Sequence, residues 1–134
     1  MSPDLIGALL KKNMNFKHFK TNLEKENEYP KLVRDNIPEI VEQRTGKKTK
    51  TRILEDNAEY AEFLLHKVEE EANELANTTD KEHLIEEISD VKELLDTILE
   101  FNELDWETVE KVQKEKAEKR GGFKKRILML EKVD

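Results

Sequence analysis

The sequence predicts an all-α domain of four helices with a minor two-stranded β ribbon. Apolar residues recur at helical spacing over two long stretches, capping residues precede the long helices, and only two short segments are strand-like. Charged residues make up 41% of the 134 residues and hydrophobic residues 36%, which suits a bundle with a heavily solvated surface. We expect one domain over 29–134, completed by oligomerisation. Residues 1–28 would be a loosely held extension or a segment that packs on a neighbouring subunit.

The first predicted helix is short and lies in the N-terminal part of this domain. Asn36 or Ile37 would cap it, with Pro38 in its first turn. It would run to about Arg44 and stop before Gly46, because glycine commonly ends helices.

Three longer helices are predicted from their capping residues. These are Asp56 before a helix of about 57–77, Thr79 before one of about 80–102, and Asp105 before one of 106–120. Glu59 and Glu82, each three residues after a cap, complete capping boxes, and Gly121-Gly122 ends the last helix. The strand-like segments, 51–54 and 126–130, would pair as the ribbon and would need helix support to be stable.

The first two long helices each carry a pair of acids on or beside an apolar stripe. The stripes are Tyr60, Leu64, Val68, Ala72 and Leu75 in one helix and Leu84, Ile88, Val91, Leu95, Ile98 and Leu99 in the other. Glu71 and Glu87 fall within the stripes, and Glu74 and Asp90 lie at their edges. A carboxylate facing a core is costly unless it is paired, protonated or bound to a cation.

The depths of these acids also match. Glu71 and Glu87 lie roughly 10–12 Å from the intervening loop along their helices, at 1.5 Å per residue. In an antiparallel hairpin the four acids would therefore meet at one level, and neither motif contains a basic residue to neutralise them. The chain has no cysteine, so oxygen ligands point to magnesium, manganese or calcium rather than zinc.

Composition excludes several other functions. A net charge of −7 argues against a nonspecific nucleic-acid coat, which needs a basic face. No apolar run approaches the roughly 20 residues that span a membrane, and the apolar patch near residue 5 is too short for a secretory signal. We therefore expect a cytoplasmic protein with no nucleic-acid or membrane partner.

Three motifs in order resemble a known family. Glu-Glu-x-x-Glu at 70–74 followed after twelve residues by Glu-x-x-Asp at 87–90 resembles the signature of the MazG-like all-α nucleoside triphosphate pyrophosphatase superfamily. The stretches 31–40 and 114–123 are similar to the opening and the end of its phosphoribosyl-ATP-pyrophosphohydrolase-like subgroup. The resemblance covers roughly residues 29–133.

The resemblance implies a fold, a metal site and a reaction. It implies a MazG-like four-helix bundle in which Glu71, Glu74, Glu87 and Asp90 bind magnesium, or alternatively manganese. Glu70 would be the supporting acid that orients a metal-bound water or helps to deprotonate it. Water would then attack between the α and β phosphates of a nucleotide, giving a monophosphate and pyrophosphate. A homodimer or higher homo-oligomer is expected, with sites near the interface.

Four basic residues are candidates for contact with substrate phosphates. Lys116 and Arg120 lie one turn apart on the predicted inward face of the last helix; they would clamp phosphate or form a solvated C-terminal turn. Lys31 and Arg34 precede a helix N-terminus that could hold phosphate. Alternatively, Arg34 would form a salt bridge with a neighbouring acid.

These observations predict an enzyme, a magnesium-dependent pyrophosphohydrolase that removes aberrant or excess nucleoside triphosphates. Two alternatives stay open. One is phosphoribosyl-ATP pyrophosphohydrolase, which keeps the chemistry and changes the substrate. The other is a non-catalytic helical module that binds a nucleotide or a partner protein, with structural or calcium-loaded acids.

Overall fold

The structure is a computed structural model that describes residues 29–133, so the predicted extension over 1–28 lies outside the described residues. Within that range the chain forms four helices: α1 (Ile37–Thr45), α2 (Asn57–Ala76), α3 (Lys81–Phe101) and α4 (Trp106–Arg120). The all-helical prediction is therefore confirmed. The chain divides into two compact units, one ending at Ile98 and the other beginning at Leu99. No helix in the described range is long and apolar enough to cross a membrane.

The short helix α1 begins and ends where its sequence predicts. Pro38 lies in the first turn, where its missing N–H costs nothing. Gly46 follows the last helical residue in the left-handed conformation, with φ of 73°, and its N–H donates to the Glu42 carbonyl at 2.7 Å. A side chain would be strained at this φ, so glycine determines the C-terminus of α1.

The start of α2 is fixed by two interactions. The carboxylate of Asp56 accepts a hydrogen bond from the Glu59 backbone N–H at 3.0 Å, as the predicted cap requires. The Arg52 guanidinium donates two hydrogen bonds of 2.8 Å to the Glu59 carboxylate. This pairing holds the pKa of Glu59 below its usual value and ties the preceding segment to the helix.

The predicted β ribbon is wrong, since no strand forms among residues 29–133. Its two segments, 51–54 and 126–130, belong to different units. The first is held by the side-chain pairing of Arg52 rather than by a backbone ladder. The second starts with Arg126 in a left-handed turn (φ 61°), whose N–H donates to the Phe123 carbonyl. A two-stranded ribbon is marginally stable on its own and needs a third strand or a packed helix to persist.

A four-residue turn over 77–80 connects α2 to α3. Buried Thr78 closes the end of α2 by donating its hydroxyl to the Leu75 carbonyl at 2.9 Å. Asp80, not the predicted Thr79, caps α3, because its carboxylate accepts from the His83 backbone N–H at 2.9 Å and also contacts the His83 ring at 2.6 Å. A carboxylate that engages both groups is a stronger cap than a hydroxyl.

The apolar stripes are only partly buried. Leu64 on α2, 2% exposed, is the one fully buried hydrophobic residue of the described range. Ala72, Ile88 and Leu95 are exposed, contrary to the prediction that they lie on core-facing stripes. The physical reason is that a two-helix hairpin offers fewer apolar surfaces than its two stripes need. The other stripe residues are half-buried.

The second unit contains the end of α3, the helix α4 and the segment that follows it. Asp105 caps α4 as predicted, accepting from the Thr108 N–H at 2.8 Å, and Gly121 ends it with φ of 78°. Every residue of α4 beyond Val109 is exposed, as are the residues 121–133.

Leu64→Ala is expected to lower the free energy of unfolding by about 2–5 kcal/mol, because it removes buried methyl groups and leaves a cavity. The matched control is Leu65→Ala on the same helix, where the leucine is 63% exposed and the cost should stay below about 1 kcal/mol. Urea unfolding followed by circular dichroism measures both. Equal costs at the two positions would contradict this orientation of α2.

Candidate metal centre

Three glutamates from two helices converge in the first unit. One carboxylate oxygen from each of Glu71, Glu74 and Glu87 lies within 4.8 Å of the other two. Glu71 and Glu74 are one turn apart on α2, and Glu71 stands about as far before the connecting turn as Glu87 stands after it. The short turn therefore brings them to one level, and three of the four predicted metal ligands come together.

Two oxygens of this cluster are buried without a donor. Glu71 is only 9% exposed, and its Oε2 and the Oε2 of Glu87 have no hydrogen-bond partner. The pKa of Glu87 is raised to about 7, first by burial and then by the neighbouring Glu71 carboxylate, while a hydrogen bond with Glu74 opposes the rise. Buried, unsatisfied carboxylate oxygens are what a bound cation satisfies.

Asp90, the fourth predicted ligand, lies beside the cluster and is paired with an arginine. Its Oδ1 accepts a 2.6 Å hydrogen bond from Arg34, whose Nη1 is also 3.7 Å from Glu93 Oε1. Of the two predicted roles of Arg34, the structure contains the salt bridge with a neighbouring acid. The charge of Asp90 nevertheless reaches the cluster, since it contributes to the raised pKa of Glu87.

Glu70, the predicted supporting acid, is buried between two lysines. Its Oε1 lies 3.6 Å from Lys31 Nζ, and its Oε2 accepts a 3.0 Å hydrogen bond from Lys67. Lys67 Nζ also lies 3.5 Å from Glu71 Oε1. The motifs themselves lack basic residues, but cations from outside them reach the acids. Sequence reasoning missed Lys67, although its spacing of three and four residues to these glutamates was the available signal.

Lys116 and Arg120 lie on α4 in the second unit, and both are exposed. The inward face predicted for them does not form, because α4 has no half-buried residue after Val109. A role of these two side chains in phosphate binding stays a prediction.

The acids of the first unit form a set that could hold a cation. Five acids lie in or beside the cluster, and among the described residues Lys31, Arg34 and Lys67 contact some of them: Glu70, Glu71, Glu74, Glu87 and Asp90. Two oxygens, Oε2 of Glu71 and Oε2 of Glu87, are buried without a hydrogen-bond partner. An all-carboxylate set of this kind fits hard ions such as magnesium, manganese or calcium.

Comparisons with protein families, with curated proteins and with solved structures find no match for this chain.

The metal-free protein should lose stability as the pH rises from about 5 to 8. Glu87 has a pKa of about 7 when folded and 4.5 when unfolded, so between these values the folded state holds a proton that the unfolded state lacks. The stabilisation is complete below pH 4.5 and is lost as the pH passes 7. Melting temperatures measured in a chelator test this.

The matched variants are Glu87→Gln and His83→Gln. The hydrogen bond with Asp80 raises the pKa of His83, so His83 also makes the protein less stable as the pH rises. Its effect on the pH dependence of stability must therefore be separated from that of Glu87. Glu87→Gln should flatten the pH dependence and stabilise the metal-free protein at pH 8, whereas His83→Gln should leave most of the slope. An unchanged slope in Glu87→Gln would contradict the assignment.

Proposed function

We propose that this chain is a magnesium-dependent nucleotide pyrophosphohydrolase. It hydrolyses the bond between the α and β phosphates of a nucleoside triphosphate, giving a nucleoside monophosphate and pyrophosphate. The observation that carries the proposal is the convergence of three glutamates with two buried, unsatisfied oxygens. The order and spacing of the three motifs that resemble the MazG-like superfamily support the substrate class. Removal of aberrant or excess nucleotides is the proposed purpose.

Each acid of the first unit has a distinct role in this proposal. Glu71, Glu74 and Glu87 would hold magnesium, with Asp90 completing the set in competition with its pairing to Arg34. A magnesium or manganese ion held by these acids would supply charge neutralisation at the phosphates and a lowered pKa for the attacking water. Glu70 directly precedes Glu71 on α2. It would orient that water and accept its proton.

A non-catalytic binding module is the second candidate. The observation that favours it is the internal pairing of the acids, since Arg34 neutralises Asp90 and two lysines neutralise Glu70. Acids paired in this way can serve a purely structural purpose. Such a module would bind a nucleotide or a partner protein without turnover.

We also propose that the chain forms a homodimer or a higher homo-oligomer. Leu64 alone is fully buried among the hydrophobic residues of the described range, and a chain of this length normally buries more. Leu65 on α2 and Ile85 on α3 are large apolar side chains left exposed in the first unit. Apolar area of this kind supports association with a second copy.

Incubation with a mixture of ribonucleoside and deoxyribonucleoside triphosphates and magnesium should release pyrophosphate and monophosphates. Glu71→Gln and Glu87→Gln should lower turnover more than about 100-fold, because losing a ligand costs more than losing an outer contact. Glu86→Gln is the matched control, since Glu86 is exposed next to Glu87. A pyrophosphate assay measures all three variants, with and without chelator.

The outcomes of this assay separate the candidates. Nucleotide binding without pyrophosphate release would favour the binding module. Release from phosphoribosyl-ATP alone would favour phosphoribosyl-ATP pyrophosphohydrolase. Full activity of both ligand variants, under conditions where chelator has no effect, would refute a metal-dependent mechanism.

Light scattering should give a mass of at least two chains of 15.8 kDa each. The double variant Leu65→Glu/Ile85→Glu should shift that mass towards the monomer, because it places charge on exposed apolar positions. His66→Glu, which changes an exposed neighbour on α2, should leave the mass unchanged. A monomeric wild-type protein at micromolar concentration would show the proposed assembly to be wrong.

A further inference from the structure

Lys67 contacts both Glu70, which lies outside the cluster of three converging glutamates, and Glu71, which belongs to it. Its ammonium group donates to Glu70 Oε2 at 3.0 Å and lies 3.5 Å from Glu71 Oε1. Both partners are on the same helix, one turn further on, so α2 itself sets this geometry. The Lys67 side chain is only 15% exposed, which is unusual for a lysine and shows that it is held rather than solvated.

The two contacts leave binding capacity on Lys67. An ammonium group has three hydrogens that it can donate, and two carboxylates engage at most two of them. Glu71 uses Oε1 towards Lys67, while its Oε2 is the buried oxygen without a donor. One oxygen of the Glu71 carboxylate therefore faces the Lys67 ammonium group, and the other is buried without a donor.

Lys31 supplies a second cation on the other side of Glu70. Its Nζ lies 3.6 Å from Glu70 Oε1 and 5.0 Å from the centre of the Tyr29 ring. The buried Glu70 carboxylate thus holds two ammonium groups next to the acidic cluster. A polyphosphate needs this arrangement, since carboxylates alone repel it and adjacent cations neutralise the oxygens that the metal does not reach.

We propose that Lys67, together with Lys31, binds phosphate oxygens of the substrate, and that Glu70 positions the two ammonium groups. The inference rests on the proposed function, which it deepens: the ligand is the pyrophosphate portion of a nucleotide. The competing explanation is that Lys67 only neutralises Glu70 and Glu71. The two explanations differ in phosphate affinity, because only the proposed role requires pyrophosphate binding to weaken when the Lys67 ammonium group is removed.

The test measures two affinities in the full chain, neither of which depends on turnover. One is Mn²⁺ binding without nucleotide, followed by electron paramagnetic resonance. The other is binding of inorganic pyrophosphate in excess Mg²⁺, followed by calorimetry. Lys67→Gln is compared with Lys67→Arg and Lys31→Gln. The matched control is Lys92→Gln, which removes an exposed lysine paired with Asp96 on α3.

Lys67→Gln should weaken pyrophosphate binding by about 10-fold or more, the loss of one charged hydrogen bond. Mn²⁺ binding should be unchanged or tighter, because a positive charge leaves the neighbourhood of the acids. Lys67→Arg should keep most of the pyrophosphate affinity, Lys31→Gln should lower it, and Lys92→Gln should alter neither affinity.

Unchanged pyrophosphate affinity in Lys67→Gln would overturn the inference. So would a joint loss of Mn²⁺ and pyrophosphate binding, since that is the result of a purely structural role. If Lys67→Gln does not fold by circular dichroism, Lys31→Gln decides, because Lys31 precedes the first helix. Failure of the proposed function is distinct: Mn²⁺ binding would then be absent in wild type or would survive Glu71→Gln.

Discussion

Repulsion between carboxylates that share a poorly solvated space is the constraint on which the first unit depends. Three glutamate oxygens lie within 4.8 Å of one another, and two carboxylate oxygens there have no donor. Water screens such charges on an open surface, but burial removes much of that screening. The hairpin of α2 and α3 is therefore stable only if the negative charge of these carboxylates is reduced. Pairing with basic side chains, binding of a proton and binding of a cation can each reduce it.

The basic side chains and the proton act on different acids. Arg34 pairs with Asp90, and Lys31 and Lys67 pair with Glu70. No basic side chain of residues 29–133 pairs with Glu87, and its pKa is raised to about 7. A proton and a divalent cation compete for it, so metal affinity should rise with pH as that proton is released. Glu87, whose pKa is raised, is one of the three acids that converge.

The sequence predicted the helix ends well because capping interactions join residues that are close in the chain. Asp56, Asp105 and Gly46 each cap a helix through backbone groups within four residues, so a single sequence contains the whole interaction. The level of Glu71 and Glu87 was predictable for a similar reason, since helical rise and a short connection fix it. The ribbon was not, because strand pairing depends on which distant segments meet.

Longer-range pairings were also beyond the sequence. Arg34 is 56 residues from Asp90, and nothing local distinguishes that partner from Asp35 beside it. Ala72, Ile88 and Leu95 fit an apolar stripe by spacing, yet spacing does not tell how much of a stripe a single hairpin can cover. Lys67 differs, since its partners are one turn away on α2 and helical spacing alone indicates them.

The different contacts of the adjacent residues Glu70 and Glu71 follow from helical geometry. Glu70 and Glu71 are neighbours in sequence, so their side chains leave α2 about 100° apart and cannot serve one ligand equally. Lys67, three and four residues earlier, lies between these two directions and contacts both. A rotation of about 100° along α2 thus separates Glu70, which two lysines contact, from Glu71, which has an unsatisfied oxygen. A metal bound to a polyphosphate requires this separation, because the ion needs carboxylates and the phosphates need cations a few ångströms away.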